Sequence, residues 1–367
     1  MKHLIVLFSV LAFTLPGLAD EQEPPKGHLV IVGGGLKAEN EPVYRAVLDR
    51  IPEDGTLGIL PTASGIPEES GPGHAEDFQQ YAGPNQKIVL LDIRNGDVDK
   101  ANDPNWVEKI KSCDGLWFTG GDQSRIVATF RPEDGDTPAY AAMWDVLNRG
   151  GVIGGTSAGA AMMCDPMIKW GNSHEALLLG VVNDVADFGV GLGQGMGFLP
   201  QGILVDQHFF ARGRLGRLMV AMREGVKPMA AAGFGIGENT ALVVHLDEAQ
   251  PAKIIGPNGV LLVVMRPQTE ESEDIWFPPS AAMFMPDGST LGVEPIGGRT
   301  ATKEDLEKWI SGSPRAYDGP LVVDVQMQEG YEGEFALMSN DHTGELFDQA
   351  QAALDDERNK PVESSDP

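Results

Sequence analysis

The chain has 367 residues, 42% of them hydrophobic, with 46 Gly and 26 Pro: enough apolar material for one sizeable core and a second small unit, and not the composition of a fibrous or wholly disordered protein. Its formal net charge of -27, from 54 acidic against 27 basic residues, argues against nucleic acid as a partner, because phosphates would be repelled. The two cysteines, Cys113 and Cys164, are too few for a disulfide framework and are expected as buried free thiols.

In chain order, residues 1 to 19 read as an export signal. Lys2 and His3 precede an apolar run from Leu4 to Leu15, and Gly17-Leu18-Ala19 offers a cleavage site after Ala19. That run is short for a bilayer span, and no later stretch is long enough and free of charge to serve as one. The mature protein is therefore expected to be soluble and exported, to the periplasm or the medium, with no membrane contact once the signal is removed. No Cys lies near the cleavage site, which argues against a lipoprotein anchor.

After a linker over 20 to 27, short apolar runs bounded by Gly or Pro alternate with segments of helical period. The runs are His28–Val32, Leu57–Leu60, Lys87–Ile93, Gly115–Thr119 and Val152–Gly154, and helices fit Glu39–Arg50, Ala75–Tyr81, Trp106–Lys111, Ala139–Asn148 and the residues from Ala158 onward. That pattern predicts an α/β fold: a doubly wound, mostly parallel sheet with helices on both faces. Later strands over Ala241–His245, Lys253–Ile255 and Val260–Val264, with a tight turn at Gly256-Pro257-Asn258-Gly259, would close a first domain spanning 28 to 265. Residues 266 to 354 read as an appended unit with its own helix (Lys303–Trp309, where Thr302 and Asp305 could form a capping box) and strand (Leu321–Met327), and 355 to 367 as a disordered polar tail.

Gly33-Gly34-Gly35 after the first strand invites a dinucleotide reading, but the acid expected at the end of the second strand is missing, where the chain reads Leu60-Pro61-Thr62-Ala63. A tight strand-to-helix turn is the preferred reading, and no cofactor is expected. The strongest chemical signal lies at Val152-Ile153-Gly154-Gly155-Thr156-Ser157-Ala158-Gly159, where an apolar strand runs through Gly-x-Ser-x-Gly directly into small helix-forming residues. That is the context of a nucleophile elbow, with Ser157 at its tip and the positive end of a helix dipole beside it; the bland alternative is a serine that only caps a turn.

A serine nucleophile needs a base. Among the histidines of the mature chain, His28 begins a strand, His74 falls in a Gly/Pro-rich stretch, His245 ends a strand, His342 lies in the appended unit and His174 sits in a polar loop. His208 follows the strand-like run Gly202-Ile203-Leu204-Val205-Asp206-Gln207 and so falls at a strand's carboxyl end, the edge where open sheets bind ligands. Arg212, Arg214 and Arg217 come just after it, and guanidinium groups grip carboxylates. Gly120 and Gly121, closing the Gly115–Thr119 strand, would offer backbone N–H groups for an oxyanion hole together with Ala158. Glu238, before the Ala241 strand, could orient the imidazole or be an ordinary loop carboxylate. The order Ser, His, acid is not that of the α/β-hydrolases. No clustered metal ligands are seen, and no metal is expected.

Four blocks together resemble the cyanophycinase family of serine peptidases, which also contains aspartyl dipeptidases: Gly-Thr-Ser-Ala-Gly-Ala at 155 to 160, Gly-Gly-Asp-Gln at 120 to 123, Asp-Gln-His-Phe at 206 to 209 with the Arg-x-Arg-x-x-Arg after it, and Gly-Ile-Gly-Glu-Asn-Thr-Ala at 235 to 241. The resemblance covers about Gly27 to Val264. It implies a flavodoxin-like, glutamine-amidotransferase-like fold with Ser157 as nucleophile, His208 as base and Glu238 as orienter. It further implies that Gln123, Asp206, Gln207, Arg212, Arg214 and Arg217 form the substrate pocket. Family members cut β-aspartyl-arginine links of cyanophycin to release dipeptides. The implied activity is thus a secreted exopeptidase acting on cyanophycin or another β-aspartyl peptide, with an aspartyl dipeptidase or a non-catalytic secreted peptide-binding protein as the alternatives. The export signal and the appended unit depart from the intracellular members, and the sequence leaves the oligomeric state, including a homodimer, open.

Overall fold

Five of the apolar runs form the parallel part of one sheet: β1 (His28–Val32), β2 (Thr56–Leu60), β3 (Lys87–Leu90), β4 (Gly115–Phe118) and β5 (Val152–Thr156), in the spatial order β3-β2-β4-β5-β1. The computed structural model describes residues 25–225, 232–246 and 252–264, together with strand residues 281–285, 290–291, 321–326 and 332–337. Strands β1, β2, β4 and β5 are buried along nearly their whole length, as a parallel sheet covered on both faces requires. Six helices connect and flank them: α1 (Glu41–Leu48), α2 (Pro67–Tyr81), α3 (Val98–Asn102), α4 (Pro104–Lys111), α5 (Gln123–Phe130) and α6 (Pro138–Asn148). On one face Val30, Val32, Leu57, Ile59 and Trp117 pack with Val43, Tyr44, Val47 and Phe78 from α1 and α2. Phe118 turns to the other face and meets Phe130 of α5 edge-on, ring centres 6.3 Å apart.

Past β5 come the short helix α7 (Ala158–Ala161) and a small sheet, β6 (Met167–Trp170), β7 (Val181–Val182) and β8 (Val190–Gly193), with α8 (Ser173–Leu179) between its first two strands. Then β9 (Ile203–Asp206), α9 (Leu215–Val220) and β10 (Ala232–Ile236) follow, with β9 and β10 parallel. The chain next returns to the main sheet: β11 (Ala241–His245) lies antiparallel on β1, His28 opposite His245, and β12 (Ala252–Ile255) extends that edge. β13 (Val260–Val264) pairs instead with β10.

Two differences from the sequence reading matter. The strands expected in one sheet are shared between two, since β9, β10 and β13 form a second sheet. Pairing also continues beyond Val264, where the first domain was expected to close: β14 (Ala281–Met285) adds to β13 and β15 (Thr290–Leu291) to β12, and the chain divides between Ala301 and Thr302. The unit after Ala301 contains an antiparallel pair, β16 (Leu321–Gln326) with β17 (Glu332–Leu337). The expected export signal, the helix over Lys303–Trp309, His342 and the C-terminal tail lie outside the described residues.

Locally, α2 starts eight residues before the expected Ala75 and therefore contains His74; Pro67 takes the first helical position, where a missing N–H is no loss, while Gly71-Pro72-Gly73 disguises the segment as a loop. α7 ends at Ala161 and Cys164 lies past it; Cys113 and Cys164 are both buried free thiols, pushed up to about 12 by burial. No helix among the described residues is long and apolar enough to cross a membrane.

Candidate active site

β5 is the strand between β1 and β4, and it delivers Ser157 to the carboxyl edge of the main sheet. The turn there is tight: Ser157 has φ 55 and ψ -107, and its carbonyl accepts from the N–H groups of Ala160 and Ala161 at 3.0 Å each. A non-glycine residue held at positive φ costs on the order of 1–3 kcal/mol and is found where the surroundings over-determine it. Here the Ser157 N–H is tied to Val32 O of β1 at 3.0 Å, and Gly159 admits the β4 backbone so closely that a Cβ on it would lie 2.5 Å from Phe118 O. The outcome is a hydroxyl raised above an otherwise buried strand end.

The candidate base arrives from the second sheet. β9 stops at Asp206, and His208, also at positive φ (47), is anchored by its backbone N–H to Gly33 O. Its Nε2 stands 2.9 Å from Ser157 Oγ, and its Nδ1 is hydrogen-bonded to Glu238 Oε1. Glu238 sits where the chain crosses from β10 in one sheet to β11 in the other. The three residues thus form one continuous hydroxyl–imidazole–carboxylate line. Burial pushes the His208 imidazole below its ordinary value of 6.5, the Glu238 hydrogen bond pulls it back up, and the Arg212 and Arg214 charges push it further down. The ring is accordingly neutral at pH 7, the state in which it can accept a proton.

The oxyanion-hole candidates frame the serine. Ala158 is the first residue of α7, a position whose N–H has no partner within the helix. Gly120 lies against the serine side chain, where an added Cβ would be 3.4 Å from Ser157 Cβ, and Gly121 lines the same cleft.

That cleft, about 420 Å³, is lined by Ser157, Gln123, Gln207, Arg212, Arg214 and Arg217 among others. Within it the structure separates the residues expected to bind substrate. Arg212 is exposed. Gln207 brings its Oε1 to 3.5 Å from Ser157 Oγ. Asp206 is not available to a ligand: it is 1% exposed, and its carboxylate takes both Nε (2.7 Å) and Nη2 of Arg217, with Arg214 Nη1 at 3.5 Å. Arg217 holds that carboxylate and also donates Nη1 to Gly171 O at 2.6 Å, so it ties β9 to α9 while still lining the cleft. Arg214 is intermediate, donating to Gln207 O at 2.7 Å, and burial lowers it to about 10. Gln123 spends its amide N–H on Ile168 O (2.8 Å) and Lys169 O (3.0 Å), which fixes β6 beside the cleft. Lys169 and Trp170, unremarked in the sequence, line the cleft as well.

The Gly33–Gly35 loop also acquires a role that sequence reasoning missed. Gly34, at φ +97, leaves room for the His208 ring: a Cβ there would stand 2.3 Å from its Nε2. The signal was three glycines at the end of β1 without the acid of a nucleotide site. His174 is exposed on α8, and a larger cleft of about 600 Å³, between His28, Arg50, Arg149 and His245, opens at the amino ends of β1 and β5 and has no nucleophile beside a base. Among the described residues no group of His, Cys, Asp and Glu is placed to hold a metal ion.

No family model matches the chain. Curated relatives do. The cyanophycinase of Geminocystis herdmanii (strain PCC 6308) is 30% identical over 244 residues, which is 65% of this chain and 80% of that protein. Those of Synechococcus elongatus and Trichormus variabilis (strain ATCC 29413 / PCC 7937) are also 30% identical, over 244 and 238 residues and 68% and 72% of their lengths, or 65% and 64% of this chain. The crystal structure of a peptidase from an acI-B1 actinobacterium shares the fold, with a TM-score of 0.50 at 17% identity over 73% of this chain and 97% of that one. With four-fifths of a curated relative matched at this identity, the chain belongs to the cyanophycinase family of peptidases.

Proposed function

We propose that the protein is an exported serine-type exopeptidase that hydrolyses the β-aspartyl-arginine links of cyanophycin to β-Asp-Arg dipeptides through an acyl-enzyme on Ser157. The observation that carries this reading is the line Ser157 Oγ, His208, Glu238, with 2.9 Å between hydroxyl and imidazole. His208 Nε2 takes the Ser157 proton as Oγ attacks the scissile carbonyl, and the carbonyl oxygen, now an anion, faces the N–H groups of Ala158 and the Gly120–Gly121 turn. The imidazolium, held by Glu238 at Nδ1, returns the proton to the leaving amine. A water then attacks the ester with His208 again as base, freeing the acid and restoring the serine.

Arg212 and Arg214, beside Gln207, are the groups that would meet substrate carboxylates, of which every cyanophycin unit carries some. The names of the curated relatives support that substrate. A second reading, another isoaspartyl peptidase, is favoured by one feature: Lys169, Arg212, Arg214 and Arg217 line the cleft and Asp122 is its single acidic lining residue, a poor setting for a guanidinium. Incubation of the purified enzyme with cyanophycin, a β-aspartyl peptide without arginine, an α-linked Asp-Arg peptide and casein separates the cases. Release of β-Asp-Arg from cyanophycin alone is expected; preferential cleavage of the arginine-free β-aspartyl peptide or of the α-linked peptide would overturn the cyanophycin assignment. For export, intact mass of protein recovered outside the cytoplasm should begin at Asp20 within a few positions, and a mass that retains residues 1 to 19 would refute it.

A further inference from the structure

If Glu238 fixes the His208 ring, whatever fixes residue 238 controls the base. Glu238 has the most exposed side chain of the pair, 39% against 10% for His208, so packing alone does not hold it. Its backbone carbonyl accepts from Asn258 Nδ2 at 2.7 Å and Thr240 Oγ1 at 3.2 Å. The next residue, Asn239, is left-handed (φ 53), and its N–H donates to the carbonyl of Gly34, the residue against the imidazole, at 2.7 Å.

What holds Asn239 is Asn40. Asn40 is the residue preceding α1, a position where Asn normally turns its side-chain oxygen to the helix N–H groups, a bond worth about 1 kcal/mol. It makes no such bond. Its Nδ2 donates instead to Asn239 O at 2.9 Å and to Asn239 Oδ1 at 2.9 Å, while Lys37 N donates to that same Oδ1 at 3.0 Å. A cap forgone in favour of a contact 199 positions along the chain is the informative feature.

Resting on the reading of Glu238 as the orienting carboxylate, we propose that Asn40 is a positioning residue for the reaction: by fixing the left-handed Asn239, it sets the direction in which Glu238 presents its carboxylate to His208. Only the donor face of Asn40 does this, because both partner atoms are acceptors.

The substitution N40D separates this role from a structural one. Asp caps a helix as well as Asn, so a capping role predicts a neutral variant. The positioning role predicts damage, because a carboxylate would face two oxygens; kcat should fall about tenfold or more with KM little changed, as expected when a reacting group is misaimed. N40S, which keeps capping ability and adds no charge, should lose kcat while its melting temperature holds. Its acid limb in kcat/KM should move to lower pH, since a misaimed Glu238 no longer supports the imidazolium against burial, Arg212 and Arg214. In an E238A background neither substitution should reduce kcat further. N40D with wild-type kcat, equal losses in both backgrounds, or losses that follow the melting temperature with the acid limb unmoved would each overturn the proposal. Wild-type kcat in E238A alone would instead refute the orienting role of Glu238.

Discussion

Replacing Gly34 with Ala isolates the space that the His208 imidazole needs. At φ +97 any L residue is strained, at a cost on the order of 1–3 kcal/mol. Beyond that, the new Cβ would lie 2.3 Å from His208 Nε2 and 2.4 Å from Cε1, so the imidazole has to retreat by about 1 Å to reach ordinary contact. A retreat of that size lengthens the 2.9 Å link to Ser157 Oγ past hydrogen-bonding range, and a misplacement of ~1 Å at a reacting group costs about 100-fold in rate. Gly34 does not line the cleft beside Ser157, so KM should stay near wild type. Gly150 supplies the control: its φ is +93 and nothing lies within 4 Å of its added Cβ. G150A should lower the melting temperature by the strain alone, roughly 2–4 °C for each kcal/mol, and leave kcat intact. The assay is kcat and KM on β-Asp-Arg release, below the melting point of each variant. A G34A enzyme with wild-type kcat, or a G150A enzyme equally impaired in kcat, would refute the reasoning.

Ser157→Ala should lower turnover by on the order of a million-fold, and a variant that keeps a tenth of wild-type turnover excludes an acyl-enzyme on Ser157. The acid limb of kcat/KM should fall below pH 6.5, because burial first and then Arg212 and Arg214 depress His208. As pH drops through that depressed value the base is protonated and activity is lost. R212A should raise the limb and E238Q should lower it, and shifts of the same sign would contradict the assignment of charges around the ring. R212A, at an exposed side chain, should raise KM without changing the melting temperature. R217A should destabilise by about 3 kcal/mol by stranding the buried Asp206 carboxylate, the lower end of the usual range because Arg214 remains 3.5 Å away. Chemical denaturation of the two variants checks this, and equal stability of R217A and R212A would refute it.

What the sequence reveals and what it hides follow from how local each cause is. The strands His28–Val32, Ala241–His245 and Val260–Val264 have the bounds expected of them because an apolar run between turn residues is a local signal. The elbow at Ser157 is local too, since strand, serine and helix are consecutive. β10 is not: Ala232-Gly233-Phe234-Gly235-Ile236 has glycines at two of five positions, a pattern that weakens a strand on propensity. Tertiary contacts explain both glycines, for a Cβ on Gly235 would meet the Phe209 ring at 2.4 Å and one on Gly233 would meet Met222 Sδ at 2.4 Å. Without β10 in view, the second sheet cannot be inferred, and the crossing that carries Glu238 reads as an ordinary loop.

The arginines make the same point from the side of charge. Their spacing places three cations near His208, but spacing does not say which of them meets solvent. Arg212 and Arg214 precede α9, whereas Arg217 is its third residue, on the face toward β9, and Asp206 waits there at the strand's end. A buried carboxylate needs a partner of its own, so one guanidinium is taken for the fold before any substrate arrives. The Asp206–Arg217 pair ties the carboxyl end of β9 to α9, and His208 lies on the stretch of chain between the two. The cluster that the sequence presents as one pocket is therefore divided: Asp206 and Arg217 are taken up with each other, and of the two arginines that precede α9, Arg212 is the exposed one.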